Sequence, residues 1–299
     1  MTVVEVGGRT LKLSNLDKVL YPDVGFTKGQ VLDYYTRIAP VLLPHLRDRP
    51  LTLKRYPNGV EEGFFYEKQC PSHRPPWVDT APVWSRHNQR TIDFCLVNNL
   101  PTLVWVANLA SLELHTALHR APEIDRPDSI VFDLDPGEGT GVAECARVAL
   151  WLREALDHFH LETVVKSSGS KGLQVYVPLN TPATYDDTKR FSQALAQVLE
   201  RAHPKAVVSN MAKELRKGKV LIDWSQNDEH KTTVSVYSLR ARPRPTVSAP
   251  VHWEEVEAIQ AGSGSELGAI DAATALRRVE ADGDLFSTLL SLEQPLPSF

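Results

Sequence analysis

Asp133 and Asp135 stand at the end of the apolar run IVFDLD, residues 130–135. Strand side chains alternate, so both carboxylates fall on one face while Phe132 and Leu134 fall on the other. Two carboxylates on one face repel unless a cation or a proton lies between them. Mg²⁺ and Mn²⁺ prefer hard oxygen ligands and suit such a pair. Pro136-Gly137 then stops the strand. Asp223 repeats the pattern in KVLIDWSQND, where Leu221 and Asp223 point one way and Val220, Ile222 and Trp224 the other. Three carboxylates from adjacent strands would form a platform for two metals about 3.5–4 Å apart, as used in phosphoryl and nucleotidyl transfer. Each feature alone has a plainer alternative: a strand-end turn with two solvated aspartates, and a carboxylate that caps a turn.

A third feature is SSGSKGLQVYVPL, residues 167–179. Gly169 and Gly172 permit unusual backbone angles and close approach of amides to an anion. Ser168 and Ser170 offer hydroxyls, and Lys171 offers a point charge for phosphate. The loop is not a Walker A motif, because G-x-x-x-x-G-K-[ST] is absent and a strand follows where a helix should. The alternative is a glycine-containing hairpin turn. Cys70 and His73 have a metal-like spacing, but two ligands do not make a zinc site, so both are read as structural.

These residues need elements to position them. Residues 3–13 read as a hairpin turning at Gly7-Gly8, and Ser14 as the cap of a short turn leading to Lys18. Thr27 is the expected N-cap of a helix from Lys28 to about Leu46, with a kink or break at Pro40. LTLKRYP is a strand; residues 57–90 read as loops with GFFYEK as an interrupted strand; residues 100–119 read as a buried helix; 121–129 form a linker. IVFDLD, TVVKS and LQVYVPL are strands alternating with the helices VAECARVALWLREALDHF and DDTKRFSQALAQVLERA. Thr184 and Asp187 form a capping box on the second helix, and Pro204 closes it. KVLIDWS and TTVSVYSL are expected as strands joined across QNDEHK. This βαββαββ order predicts an α+β fold with a mixed or antiparallel sheet and helices on one face. Residues 245–299 read as a helical appendage interrupted by Pro and Gly.

The 299 residues are 42% hydrophobic and 23% charged, an ordinary globular balance, with no apolar run long enough to span a bilayer. No secretory signal is visible at the N-terminus. Cys70, Cys95 and Cys145 suggest no paired framework, so reduced thiols and a cytoplasmic location are expected. The formal net charge is -4, which argues against a globally basic nucleic-acid binder. Basic residues nevertheless cluster before position 60 and between 213 and 244, and an acidic tail offsets them.

VFDLDPGEGTG, SSGSKGLQVYVPL, KVLIDWSQN and YSLRAR, in this order, with DKVLYP, TK, LKRYPNG, GFFYEKQ and LELH upstream, resemble the primase-polymerase superfamily. The nearest likeness is to the polymerase domain of bacterial end-joining DNA ligase D and its stand-alone relatives, and it covers most of the chain. It implies a single primase-polymerase domain: an N-terminal α/β DNA-binding module (1–125), an RRM-like catalytic core (126–250) and the helical appendage (251–299). It implies that Asp133, Asp135 and Asp223 bind two Mn²⁺ or Mg²⁺ ions. By the same likeness Ser168, Lys171 and Arg240 hold the triphosphate of an incoming NTP or dNTP. Lys54 and His115 are further nucleotide contacts, with His115 near the ribose, and Gln226 lies nearby. Asn15, Lys18 and Lys28 resemble a pocket for the 5′-phosphate of gapped or broken DNA. Phe64 and Phe65 resemble a pair that stacks on template bases, and Arg216 lies in a loop that positions the primer.

The implied activity is template-directed nucleotide addition, favouring ribonucleotides, by a monomer associated with the nucleoid during repair. Ku and a separate ligase are the implied protein partners, since no ligase module is visible. A primase that starts chains without a primer, and a non-catalytic binder of 5′-phosphorylated ends, are the alternatives. Gln174 departs from the family pattern, which usually has histidine there. Glutamine keeps hydrogen-bonding capacity but cannot become a cation near neutral pH.

Overall fold

The computed structural model describes residues 1–85, 88–263 and 270–297. The chain forms two compact units: residues 1–122, 232–247 and 271–283 in the first, and 123–231, 248–270 and 284–299 in the second. Neither unit is one continuous stretch, and their limits do not coincide with 1–125, 126–250 and 251–299. Residues 264–269 and 298–299 of the expected appendage lie outside the described residues.

The first unit opens with β1 (Thr2–Val6) and β2 (Arg9–Leu13), the expected hairpin, followed by β3 (Val19–Tyr21) and β4 (Phe26–Thr27). Helix α1 (Lys28–Leu46) starts at Thr27, whose side chain accepts from the Gln30 amide while Gln30 accepts from the Thr27 amide. The helix runs on through Pro40 and Pro44, so of the kink or split expected at Pro40 the split does not occur. Its apolar face, including Val31, Leu32, Tyr35, Ile38 and Leu42, is buried, and this packing offsets the backbone bonds the prolines forgo.

A sheet follows from β5 (Leu51–Arg55), β6 (Phe65–Glu67), β7 (Thr80–Ser85), β8 (Arg90–Cys95) and, after α2 (Leu100–Asn108), β9 (Ser111–Thr116). The region read as one buried helix over 100–119 is therefore a helix and a strand. Ala110, at φ 58°, ends the helical path, and the chain returns beside β5. Strand β7, inside the stretch expected to be loop, pairs along its length with β8. The segment before β7 runs beside β8, the Cys70 amide donating to the Asp93 carbonyl at 2.7 Å, and Cys70 and Cys95, 25 residues apart, form a disulfide with Cα atoms 4.9 Å apart. The expectation of unpaired thiols is corrected here for both. His73 packs its ring against Trp105 instead of joining Cys70 in a metal site.

The second unit contains β10 (Ser129–Pro136), α3 (Val142–Asp157), β11 (Val164–Ser167), β12 (Leu173–Pro178), α4 (Tyr185–Ala202), β13 (Val207–Val208) and β14 (Val220–Asp223). Strand β15 (Thr233–Val234) belongs to the first unit and pairs with β9, so it is not the hairpin partner of β14 that the sequence suggests. Its own register with β9 decides this over the short polar connection. β16 (Pro250–Val251) and α5 (Trp253–Gln260) return to the second unit, and α6 (Ala272–Asp282) to the first. The second sheet has the order β13-β14-β10-β12-β11-β16, antiparallel except for the β13–β14 pair. Helices α3 and α4 pack against it, and Ile130, Phe132, Leu134, Val175 and Ile222 are fully buried. The α+β architecture read from the sequence is the one observed. Among the described residues no helix is long and apolar enough to cross a membrane.

Candidate active site

In the second unit, Asp133 lies directly opposite Asp223 on β14 and Gln174 on β12, and Gln174 lies opposite Lys166 on β11. Residues opposite one another on a sheet share a face. One row across four strands therefore reads Lys166, Gln174, Asp133, Asp223, with Asp135 two residues along. Burial and the charges of Asp135 and Asp223 push the Asp133 carboxyl up to about 7, against a hydrogen bond from the Gln174 side chain and the charge of Lys166. Lys166 is fully buried and donates to Ser248 Oγ at 2.5 Å.

Asp223 is held differently. The amide and hydroxyl of Ser225 donate to its Oδ1 at 2.9 and 2.6 Å, and Gln226 Nε2 donates to Oδ2 at 2.8 Å. These bonds close the 3₁₀ turn Trp224–Gln226 and fix the carboxylate. Asn227, fully buried, donates to the Val131 carbonyl (2.7 Å) and accepts from the Val131 amide (2.9 Å). Its side chain continues the ladder of β10 past the end of β14. The donor set suits a hard divalent cation: three carboxylates on two neighbouring strands, two of them cross-strand partners whose repulsion Gln174 and Lys166 only partly offset. Among the described residues no ready-made cage of three metal-ligating side chains is formed.

The 167–172 loop is built from its own serines. Ser168 Oγ accepts the amides of Ser170 (3.3 Å) and Gly172 (3.1 Å), while the Ser168 amide donates to the Gly172 carbonyl (3.0 Å). A Cβ at Gly172 would collide with the Leu134 carbonyl oxygen, and one at Gly137 with the Arg216 carbonyl oxygen. Both glycines let backbone approach the strand end that carries Asp133 and Asp135. Lys171 is exposed. Arg216 donates to the Met211 carbonyl at 2.6 Å, which folds its loop, and its Nε is buried with no partner.

In the first unit, a different cluster centres on Glu113 of β9. Glu113 is 1% exposed. Its Oε1 accepts from the Ala241 amide at 3.0 Å and the Lys54 ammonium at 3.5 Å; its Oε2 meets His115 Nε2 at 2.9 Å and forms an ion pair with Arg240, 3.5 Å from Nε. Burial alone would raise the Glu113 carboxyl, but the His115 bond, Arg240 and Lys54 hold it well below the usual carboxylate range. Burial pushes the Lys54 ammonium down, and Glu113 opposes that shift. His115 is likewise lowered by burial against the pull of Glu113. The expected histidine in an apolar helix is thus a strand residue, opposite Thr52 and Val234.

Phe64 and Phe65 are 51% and 44% exposed, so neither is core. They do not share a partner: Phe64 covers Lys54 at 4.4 Å and meets Tyr66 edge-on, while Phe65 lies against Arg55. Lys18 Nζ donates to Asn58 Oδ1 (2.9 Å), and Lys28 Nζ to the Ser14 carbonyl (2.7 Å). Burial, Lys18 and Arg55 together lower the Lys28 ammonium, so three cations crowd one place. Asn15, at φ 55°, turns the chain there, and its carbonyl accepts the Lys18 amide.

Four participants were not singled out from the sequence: Glu113, Lys166, Asn227 and Tyr66. For Glu113 a signal existed in LELH, but a helical period sends residues two apart to different faces, whereas a strand puts Glu113 and His115 together.

A family model described as LigD, primase-polymerase domain, matches residues 27–286. The multifunctional non-homologous end joining protein LigD of Mycolicibacterium smegmatis is 43% identical over 281 residues, covering 93% of this chain and 36% of that protein. The bifunctional LigD of Bacillus subtilis is 32% identical over 248 residues, covering 83% and 39%. The chain thus spans little more than a third of these relatives. The polymerase domain of Mycobacterium tuberculosis Ligase D, solved in complex with DNA, superposes with a TM-score of 0.87 at 40% identity, covering 94% of this chain and 98% of that one.

Proposed function

The chain belongs to the LigD primase-polymerase domain family, a family of nucleotidyltransferases, and we propose that it extends a primer 3′-OH on a template during the repair of broken DNA. The observation that carries this reading is the direct pairing of Asp133 with Asp223 beside Asp135, a carboxylate group whose repulsion a ligand cation would relieve. Two Mg²⁺ or Mn²⁺ ions held there would supply activation of the 3′-OH and charge for the departing pyrophosphate. Gln226 and Ser225 keep the Asp223 carboxylate in place for that task. Ser168, in a loop of close-packed backbone amides, and the exposed Lys171 suit the triphosphate.

In the first unit, Lys54, His115 and Arg240 are proposed as further nucleotide contacts. The crowded cations Lys18 and Lys28, with Asn15, suit a 5′-phosphate, because an anion removes their mutual repulsion. The exposed Phe64 and Phe65 suit stacking on template bases, worth roughly 1–3 kcal/mol per base. Arg216 is assigned to the loop that meets the primer. The substrates proposed are gapped or broken duplexes, ribonucleotides ahead of deoxyribonucleotides, with Ku and a ligase as partners in end joining.

The test is extension of a 5′-phosphorylated one-nucleotide gap with each NTP and dNTP, in Mn²⁺ and in Mg²⁺. Nucleotide addition that needs Asp133 and Asp223, and that weakens without the 5′-phosphate, is the expected result. Full activity of Asp133→Ala would overturn the metal assignment. Phosphate-dependent binding with no addition under any condition would make the chain a DNA-end binder, and products on an unprimed template would make it a primase.

A further inference from the structure

Glu113 carries no assigned part in the reaction, yet three proposed nucleotide contacts converge on it. Its carboxylate lies within 3.5 Å of Lys54 and of Arg240 and within 2.9 Å of His115. The backbone amide of Ala241 fixes it from a further direction. A buried carboxylate with these partners stays ionised, and an ionised carboxylate only accepts hydrogen bonds. His115 Nε2 must therefore carry the proton in their 2.9 Å contact.

This has a consequence for the other ring nitrogen. Burial favours the neutral imidazole at His115. In a neutral imidazole with Nε2 protonated, Nδ1 is a lone-pair acceptor. Among the described residues no group bonds to Nδ1, and the side chain keeps 14% exposure. A phosphate oxygen, itself an acceptor, is rejected there, whereas a hydroxyl or amide donor is received.

We infer that Glu113 is a positioning residue that locks His115 in the Nε2–H tautomer, so that Nδ1 is offered to a donor group of the bound nucleotide. Glu113 also keeps two cations, Lys54 and Arg240, from drifting apart under their own repulsion. The second part of the inference, the nucleotide donor, rests on the polymerase reading; the tautomer does not.

Two measurements on the full chain test it. Long-range ¹H–¹⁵N correlation of the histidine rings reads the tautomer directly. Wild type should show His115 protonated at Nε2 alone. In Glu113→Gln the side-chain amide offers both a donor and an acceptor, and the signals should move toward a mixture. Steady-state nucleotide addition by Glu113→Gln should show KM for the incoming nucleotide raised about 10-fold, with kcat within about 3-fold. A wild-type His115 protonated at Nδ1 overturns the inference, and that reading needs no variant to fold. A folded Glu113→Gln with tautomer and KM unchanged also overturns it. Should the wild type add no nucleotide at all, the polymerase reading fails, and the ring signals still decide the role of Glu113.

Discussion

Glu113 and Asp133 are both carboxylates set into the middle of a sheet, and their surroundings are opposite. Glu113 is ringed by Lys54, His115 and Arg240, and these hold its carboxyl well below the usual range. Asp133 faces Asp223 across the strands and has Asp135 beside it, and these charges with burial push it up to about 7. The first cluster answers its one carboxylate with two cations. The second sets three carboxylates against one buried lysine. Removing one partner from a buried ion cluster is costly, whereas removing one of several like charges relieves the fold. The difference separates a carboxylate countered by cations of its own unit from a carboxylate group whose repulsion a bound cation would relieve.

The sharpest way to break this comparison is to neutralise each carboxylate in turn. Asp133→Asn should lower nucleotide addition by at least ~10³-fold, because metal ions at such sites supply several kcal/mol of transition-state stabilisation. The same change should raise the melting temperature of protein freed of divalent cations. The pH dependence gives the sign. A carboxyl whose folded pKa is about 7, above its unfolded value near 4, favours the folded state less as pH rises through that window. The gain from Asp133→Asn should therefore be present near pH 8 and absent near pH 4. A melting temperature that falls at both pH values would show that Asp133 is balanced within the protein after all.

Glu113→Ala should do the reverse. It strands Lys54 and Arg240 around an apolar gap, at a cost of about 3 kcal/mol near neutral pH. Here the folded pKa is lowered, so the stabilisation is present above the ordinary carboxylate range and is lost as pH falls through the folded value. Urea denaturation of wild type and variant should converge in strong acid. Equal stability at neutral pH would mean that the cluster contributes nothing to the fold.

The next effect tests how the strand end is held. Gly172→Ala places a methyl against the Leu134 carbonyl, next to Asp133 and Asp135. The backbone must move, at a cost of about 1–3 kcal/mol, and addition should fall more than stability does. A variant with wild-type activity would show that the loop and the carboxylates are independent.

How much of this was legible in the sequence depends on the range over which each feature is set. The alternation of IVFDLD placed Asp133 and Asp135 on one face, and it needs no partner to be read. The caps at Thr27 and Thr184 are equally local, since each is closed within three residues. Glu113 and His115 were lost because the apolar stretch around them matches a helix as well as a strand, and only the pairing of β9 with β5 decides. Strand β15 was given the wrong partner for the same reason: its register with β9 spans more than a hundred residues of chain. Cys70 and Cys95 looked unpaired because only the docking of the segment before β7 onto β8 brings them together. Asn227 left no signal, since an asparagine completing a strand edge reads like any turn residue. The resemblance to primase-polymerases compensated where it named residues, and it named neither Glu113 nor Asn227.

The smallest expected effect concerns Gln174, where the family pattern usually has histidine. Gln174 is 2% exposed and lies between Asp133 and Lys166 in the carboxylate row. Its side chain donates to Asp133 and its Oε1 lies 3.5 Å from the Tyr176 hydroxyl. The amide therefore holds Asp133 by a neutral hydrogen bond. A histidine could hold it by a charged one, and charged bonds are roughly twice as strong. Gln174→His should raise the single-turnover rate of nucleotide addition by about 2–10-fold, the range of roughly one hydrogen bond's gain in strength. Gln174→Leu, which removes the bond without adding charge, should slow it. If the rate is indifferent to both changes, Asp133 is set by Asp223 and its ligands alone, and the contrast with Glu113 becomes sharper: one carboxylate placed wholly by the protein, the other by what it binds.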